Sequence, residues 1–257
     1  MTDVYDFHTG DSPLLVSVPH DGRLLPPEME GLMTEAGLAL PDTDWHVARL
    51  YTFAKDLGAS MIVARYSRYV VDLNRPADDA ALYPGQLATG LCPRRTFDGR
   101  ELYRAQMMID TADRVERFWR PYHDRIRGTL ERLRREHGRA LLWDAHSIAS
   151  RVPALFDGEL PVLNIGTFDG RSCDASIAAA VERIAAESPY EAVRDARFRG
   201  GYITRHYGDP ANGVHAMQLE LAQRAYMDEA TGDYDEIRAL QLADTLRAML
   251  SGLTMRA

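Results

Sequence analysis

Short apolar runs that break off into polar residues recur along this chain. The first, Leu14 to Val18, stops at Pro19-His20-Asp21-Gly22, and its length and Val/Leu content predict a buried strand delivering polar side chains into a loop. Ala140 to Trp143 repeats the design and ends in Asp144-Ala145-His146-Ser147, while Leu160 to Ile165 ends in Gly166-Thr167. Met61 to Ala64, Tyr69 to Leu73 and Val214 to Leu219 read as further strands. Between them the period becomes helical. A helix is predicted from about Asp44 to Leu57, with Asp42 or Thr43 as N-cap and Gly58 as stop. Others are predicted over Glu101 to His137, kinked or split at Pro121, over Cys173 to Glu187, and from about Tyr234 to Leu250. Gly85 to Gly99 has no period and reads as an ordered loop, and the pair Met107-Met108 reads as core filling. Strands alternating with helices predict an α/β fold: a mixed, mainly parallel sheet flanked by helices on both faces, with ligands beyond the strand carboxyl ends.

Composition narrows the function more than the fold. With 257 residues, 46% of them hydrophobic, and no linker-like tract or internal repeat, the chain reads as a single domain over 1–257. A net charge of -8 argues against nucleic acid as a partner. Lys55 is the only lysine; the skew to arginine fits either genome composition or a need for bidentate carboxylate clamps. Cys92 and Cys173 cannot build a disulfide framework or a four-cysteine zinc site. No signal peptide, membrane span, GxGxxG or P-loop is legible, so a cytoplasmic protein acting on a small molecule is expected.

Two of the apolar runs end in a histidine beside an aspartate. If both strands lie in one parallel sheet, His20 and His146 emerge at the same edge, where they could share Zn2+, although each could equally cap its strand. A third ligand would come from Asp44, or from Asp42 or a nearby histidine (His46, His206 or His215); helix capping is the other role open to the two aspartates. Asn74 and Arg75 end the Val70 run, where an arginine suits either a substrate carboxylate or an ion pair with Asp72, Asp78 or Asp79. Glu220 sits on a strand otherwise carrying Val214, Ala216 and Leu219, as a general base or as half of a structural salt bridge. His8, His123 and His137 read as exposed or core-satisfied.

Taken together, Val18-Pro19-His20-Asp21-Gly22, Asp42-Thr43-Asp44-Trp45, Asp72-Leu73-Asn74-Arg75, Asp144-Ala145-His146-Ser147, Gly200-Gly201-Tyr202 and Val214 to Glu220 resemble the N-formylglutamate amidohydrolase family, from about Leu14 to Gln223. That family is similar in turn to zinc carboxypeptidases and aspartoacylases, whose fold is a mixed eight-stranded sheet between helices. The resemblance implies zinc held by His20 and His146. Arg23 stands where those relatives carry a ligating glutamate, which leaves Asp44 as the carboxylate ligand. It further implies Asn74 and Arg75 on the substrate, Arg68 (or Arg65) polarising the scissile carbonyl, and Glu220 as the catalytic glutamate. N-formyl-L-glutamate, an intermediate of histidine degradation, needs two cationic clamps, assigned to Arg75 and Arg205. Another N-acylated acidic amino acid as substrate, or a non-catalytic dicarboxylate-binding protein, are the competing readings.

Overall fold

The computed structural model describes residues 3–81, 89–105 and 108–256. Among these, seven strands make one mixed sheet: β1 (Tyr5–His8), β2 (Leu14–Val18), β3 (Ser60–Ala64), β4 (Ala140–Ile148), β5 (Leu163–Gly166), β6 (Ala192–Arg194) and β7 (Val214–Ala222). Their order is β1-β3-β2-β4-β7-β5-β6. The centre, β3-β2-β4-β7, is parallel; β1 and β5 join it antiparallel, and β6 runs parallel to β5. All five residues of β2 and all nine of β4 are buried, as expected of central strands covered on both faces.

Alternation along the strands divides the interior. Trp143, Ala145, Met217 and Leu219 face α2 (Ala175–Glu187) and α4 (Glu236–Arg256), whereas Leu15, Leu142 and Ala216 face α1 (Arg120–His137). Each fully buried Leu or Ile of α1, such as Ile126 and Leu133, contributes about 1.5–3 kcal/mol. On the α1 face the strands also carry polar residues. Ser17 Oγ, for instance, lies 3.1 Å from Tyr122 Oη and donates to Asp144 Oδ1 at 3.1 Å.

The departures from the predicted elements have physical causes. Tyr69 to Leu73 is buried but not a strand; it runs through a turn whose backbone bonds go to other loops, including Asp72 N–H to the Leu91 carbonyl. A short apolar run reports burial, not backbone conformation. The helix predicted from Asp44 to Leu57 is a single turn, Val47–Leu50, followed by a 3₁₀ segment, Thr52–Leu57, which ends at Gly58 with φ 69°. Neither Asp42 nor Asp44 caps it; Asp21 Oδ2 accepts the Ala48 N–H at 2.9 Å instead. The long helix begins at Thr111 rather than Glu101. Pro121 does not split it, because a π turn at Val115–Trp119 shifts the hydrogen-bond register just before the proline. Part of the predicted Gly85 to Gly99 loop, and Met107, fall outside the described residues; Met108 is 95% exposed and fills no core.

Inside the α1 face, His123 Nε2 lies 2.9 Å from the Leu73 carbonyl and Nδ1 lies 3.0 Å from Tyr207 Oη. Burial pushes its pKa down to about 3, with His206 and Arg127 adding to the shift and the Leu73 bond opposing it. The unfolded chain therefore takes up a proton at His123 below pH ~6.5 that the folded chain refuses. Stability should fall by about 1.4 kcal/mol per pH unit on this account as pH drops from ~6.5 toward 3. Urea unfolding of His123→Gln across that range should show a pH dependence weaker by close to one proton; an unchanged dependence would contradict a neutral buried His123.

Candidate active site

β2 and β4 are parallel neighbours with Ser17 opposite Asp144, so both chains leave the sheet at the same edge. Pro19 carries β2 directly into His20, and His146 lies within β4; the two imidazole centroids stand 4.9 Å apart. Asp44 reaches them from the 41–46 segment, whose backbone is tied to the His20 carbonyl by the Asp44 N–H at 3.1 Å. Leu40 and His46 bracket that segment with φ of 50° and 65°, left-handed conformations unusual for such residues. Asp44 Oδ2 lies 3.1 Å from His146 Nδ1 and 3.8 Å from His20 Nδ1, and accepts the Ser147 N–H at 3.0 Å.

Each imidazole is held from behind by a second buried carboxylate: His20 Nε2 lies 2.8 Å from Asp72 Oδ1, and His146 Nε2 lies 2.9 Å from Asp144 Oδ2. Both rings thus turn Nδ1 toward Asp44. Ligand atoms of His20, Asp44 and His146 all fall within 4.8 Å of one another, so the three could hold a metal ion. Two observations show that they fit one. His20 Nδ1 and Asp44 Oδ1 are buried without a hydrogen-bond partner, a cost of about 1–3 kcal/mol each that a cation would relieve. Two imidazoles and one carboxylate are also the donor set of hydrolytic zinc sites that keep a fourth position open.

The electrostatics agree. Burial, assisted by Arg68, lowers the His20 pKa, with Asp72 and Asp44 pulling the other way. Burial alone would raise the Asp44 carboxyl, but the His146 hydrogen bond and the His20, His146 and Arg68 charges bring it below the ordinary range. At Asp72 the upward push of burial is outweighed by Arg68 and His20, which hold it well below that range. For His146, burial pulls down while Asp144 and Asp44 pull up more strongly, and the ring is raised well above its usual value. Negative charge converges on this ring, and a proton or a metal cation in its place answers it.

Glu220 is the register partner of His146 on the adjacent strand β7. Its carboxyl is pushed up to about 8, chiefly by burial, with His146 opposing and Asp44 adding. Gln218 Nε2 donates to Glu220 Oε2 at 3.3 Å while its Oε1 accepts the Gly201 N–H at 2.7 Å. Gly201 must be glycine here, since a Cβ would lie 2.3 Å from Asn74 Nδ2. Asn74 in turn bonds Asp144 Oδ2 through Nδ2 at 3.2 Å and accepts the Ile203 N–H at 2.8 Å. Arg68 donates to Asp72 Oδ2 at 2.7 Å and approaches Asp44 Oδ1 at 3.6 Å. Arg65, the alternative to Arg68, pairs at 4.0 Å with the exposed Asp6 instead.

A cavity of about 130 Å³ joins these groups; His20, Arg68, Arg75, His146, Arg197 and Glu220 are among its walls. Arg205 is not. Its place on α3 (Tyr202–Tyr207) sends Nε to the Gly200 carbonyl at 2.7 Å and stacks the guanidinium 4.6 Å from the Phe168 ring. Arg197 stands at the cavity in its stead, and the sequence reading missed it; its only signal was its position just ahead of Gly200-Gly201. Nor do the other candidate histidines join the cluster: His46 Nε2 lies 2.9 Å from the Gly232 carbonyl, His206 stacks on Tyr202, and His215 Nδ1 accepts the Asp174 N–H.

Imidazoles and carboxylates gathered at parallel strand ends, beside a protonatable glutamate and cavity-lining arginines, define a hydrolase site suited to an anionic substrate. The chain belongs to the N-formylglutamate amidohydrolase family, whose model matches residues 12–227. It is 53% identical over 234 residues to the N-formylglutamate deformylase of Pseudomonas putida, covering 89% of this chain and 87% of that one. The deformylase of Pseudomonas aeruginosa is 54% identical over 233 residues, with the same coverage. Among solved structures, the N-formylglutamate amidohydrolase from Ralstonia eutropha shares the fold with a TM-score of 0.83 at 23% identity, over 96% of each chain. A gene product from Agrobacterium tumefaciens does so at 0.76 and 17%, over 98% of this chain and 95% of that one.

Chelator-treated protein should bind one divalent ion per chain, with Zn2+ or Co2+ as the probe, and unfold at a higher temperature when loaded. His20→Ala and Asp44→Ala should each abolish that shift; variants that bind the ion as the wild type does would contradict the assigned ligands.

Proposed function

We propose that the protein hydrolyses N-formyl-L-glutamate to formate and L-glutamate, as one domain over 1–257 with one Zn2+ held by His20, Asp44 and His146. The observation that carries this reading is the one cavity lined by His20, His146, Glu220 and the arginines Arg68, Arg75 and Arg197, in a chain of this family. Zn2+, when bound, supplies Lewis-acid polarisation of the formyl oxygen and lowers the pKa of water.

The chain's own residues do the rest. Glu220 takes a proton from the attacking water and returns it to the departing amine nitrogen; burial raises its carboxyl to about 8, which suits it to hold the proton between the two transfers. As water adds to the formyl carbon and the C–N bond breaks, the Arg68 guanidinium stabilises the developing oxyanion, oriented for this by Asp72. Arg75 and Arg197 clamp the two substrate carboxylates, and Asn74 orients the bound amino acid. Arg205, outside the cavity, acts indirectly by holding the Gly200 carbonyl and so the turn on which Gly201 meets Asn74. A cytoplasmic role closing a histidine degradation route is part of the same reading; the two free cysteines suit a reducing compartment, and no helix among the described residues is long and apolar enough to cross a membrane.

Steady-state formate release tests the assignment. Glu220→Gln should lower kcat about 100- to 10,000-fold with a smaller change in KM. Arg68→Ala should lower it about 100- to 1000-fold. Wild-type kcat in either variant would remove that residue from its role, and a wild type that binds the substrate without turning it over would favour a binding protein.

A further inference from the structure

We propose that Phe97 sets the acyl-group specificity of this site, by closing the reaction cavity against a second, larger cavity that its removal opens to longer N-acyl-L-glutamates. The inference rests on the deformylase reading above and goes beyond it, to what limits the acyl group.

Phe97 lies in a tight turn closed by Thr96 N–H to the Arg100 carbonyl at 2.9 Å. Its own N–H donates to Asp42 Oδ2 at 2.8 Å, the same oxygen that accepts Tyr69 Oη–H at 2.7 Å. The ring is thereby fixed against the Arg68 guanidinium, 4.9 Å from its centroid. Phe97 lines the cavity of about 130 Å³ that holds the reacting groups, and also a neighbouring one of about 370 Å³. Ser147 and Ile148, which directly follow the ligand candidate His146, are the other walls common to both.

The second cavity has the wrong charge for the glutamate half of the substrate and the right surface for an acyl chain. Its walls include Ile148, Val152, Pro153 and Ala154, together with Asp42, Asp98 and Arg151. Asp98 is paired with Arg100 and Arg151 with Glu159, which leaves Asp42 as the acidic group there without an arginine partner at ion-pair distance among the described residues. Substrate carboxylates are drawn the other way, to Arg75 and Arg197, neither of which lines it. A formyl carbon carries only hydrogen, whereas any longer acyl group carries carbon at that point. With the Phe97 ring as the partition, formyl fits and longer groups collide. The chemistry is the same in each case: water adds to the acyl carbon, the C–N bond breaks, the nitrogen receives a proton, and a carboxylate leaves with L-glutamate.

The test compares kcat/KM for N-formyl-, N-acetyl- and N-butanoyl-L-glutamate in the wild type, Phe97→Leu and Phe97→Ala. Ratios between substrates are the readout, because Phe97 touches Arg68 and its loss lowers all rates together. The butanoyl-to-formyl ratio should rise about 10-fold or more in Phe97→Ala, the scale of pocket-size discrimination, and less in Phe97→Leu. Adding Ala154→Trp to Phe97→Ala, which refills the second cavity, should return the ratio toward wild type. Ratios unchanged in both variants while formyl turnover persists would overturn the proposal, as would a gain that Ala154→Trp leaves intact. A wild type inactive on all three overturns the deformylase reading, and this inference with it.

Discussion

Three carboxylates, Asp44, Asp72 and Asp144, are buried to 1% exposure or less around two imidazoles, and the rest of the site follows from the need to balance them. A buried ionised carboxylate costs several kcal/mol unless charge and hydrogen bonds answer it. Here Arg68 answers Asp72, His146 answers Asp144, and both rings face Asp44. The balance remains incomplete on the inner side, where His20 Nδ1 and Asp44 Oδ1 have no hydrogen-bond partner and where His20, Asp44 and His146 could hold a metal ion.

The scaffold makes the convergence affordable. Asp144 and His146 are consecutive residues of one face of β4, and Gln218 and Glu220 are their register partners on β7. Their positions are therefore set by the ladder that holds the sheet, while Asp44 and Asp72 arrive on loops. Those loops are fixed by local devices: left-handed Leu40 and His46 around Asp44, and the His123 and Trp119 Nε1 bonds to the Leu73 and Arg75 carbonyls beside Asp72. Groups borne on strands, with loop-borne groups tied down around them, hold the geometry of the cluster fixed.

How much of this was legible in the sequence depended on whether a residue belonged to a repeating pattern. The two apolar runs ending in histidine and aspartate were visible because β2 and β4 are adjacent parallel strands, and parallel order converts a sequence repeat into a shared edge. Glu220 stood out for the same reason, as a charge on a strand pattern. Tyr69 to Leu73 misled because burial without periodicity looks the same in a strand and in a coil, and Asp72, Asn74 and Arg75 line the cavity with His20 and His146 all the same. The pairing of Asp72 with His20 and Arg68 depends on contacts between residues up to 52 positions apart, which no local pattern encodes. Arg205 drew attention by its place after Gly200-Gly201, but a helical turn rotated it onto Phe168 and left Arg197, on the other side of those glycines, facing the cavity.

The most direct test of the account is formate release from N-formyl-L-glutamate by purified protein as isolated, after chelator treatment, and after Zn2+ is restored. The proposed metal at this cluster predicts activity that vanishes with the metal and returns with it, while the fold persists by circular dichroism throughout. Full activity in verifiably metal-free protein would contradict the role assigned to His20, Asp44 and His146.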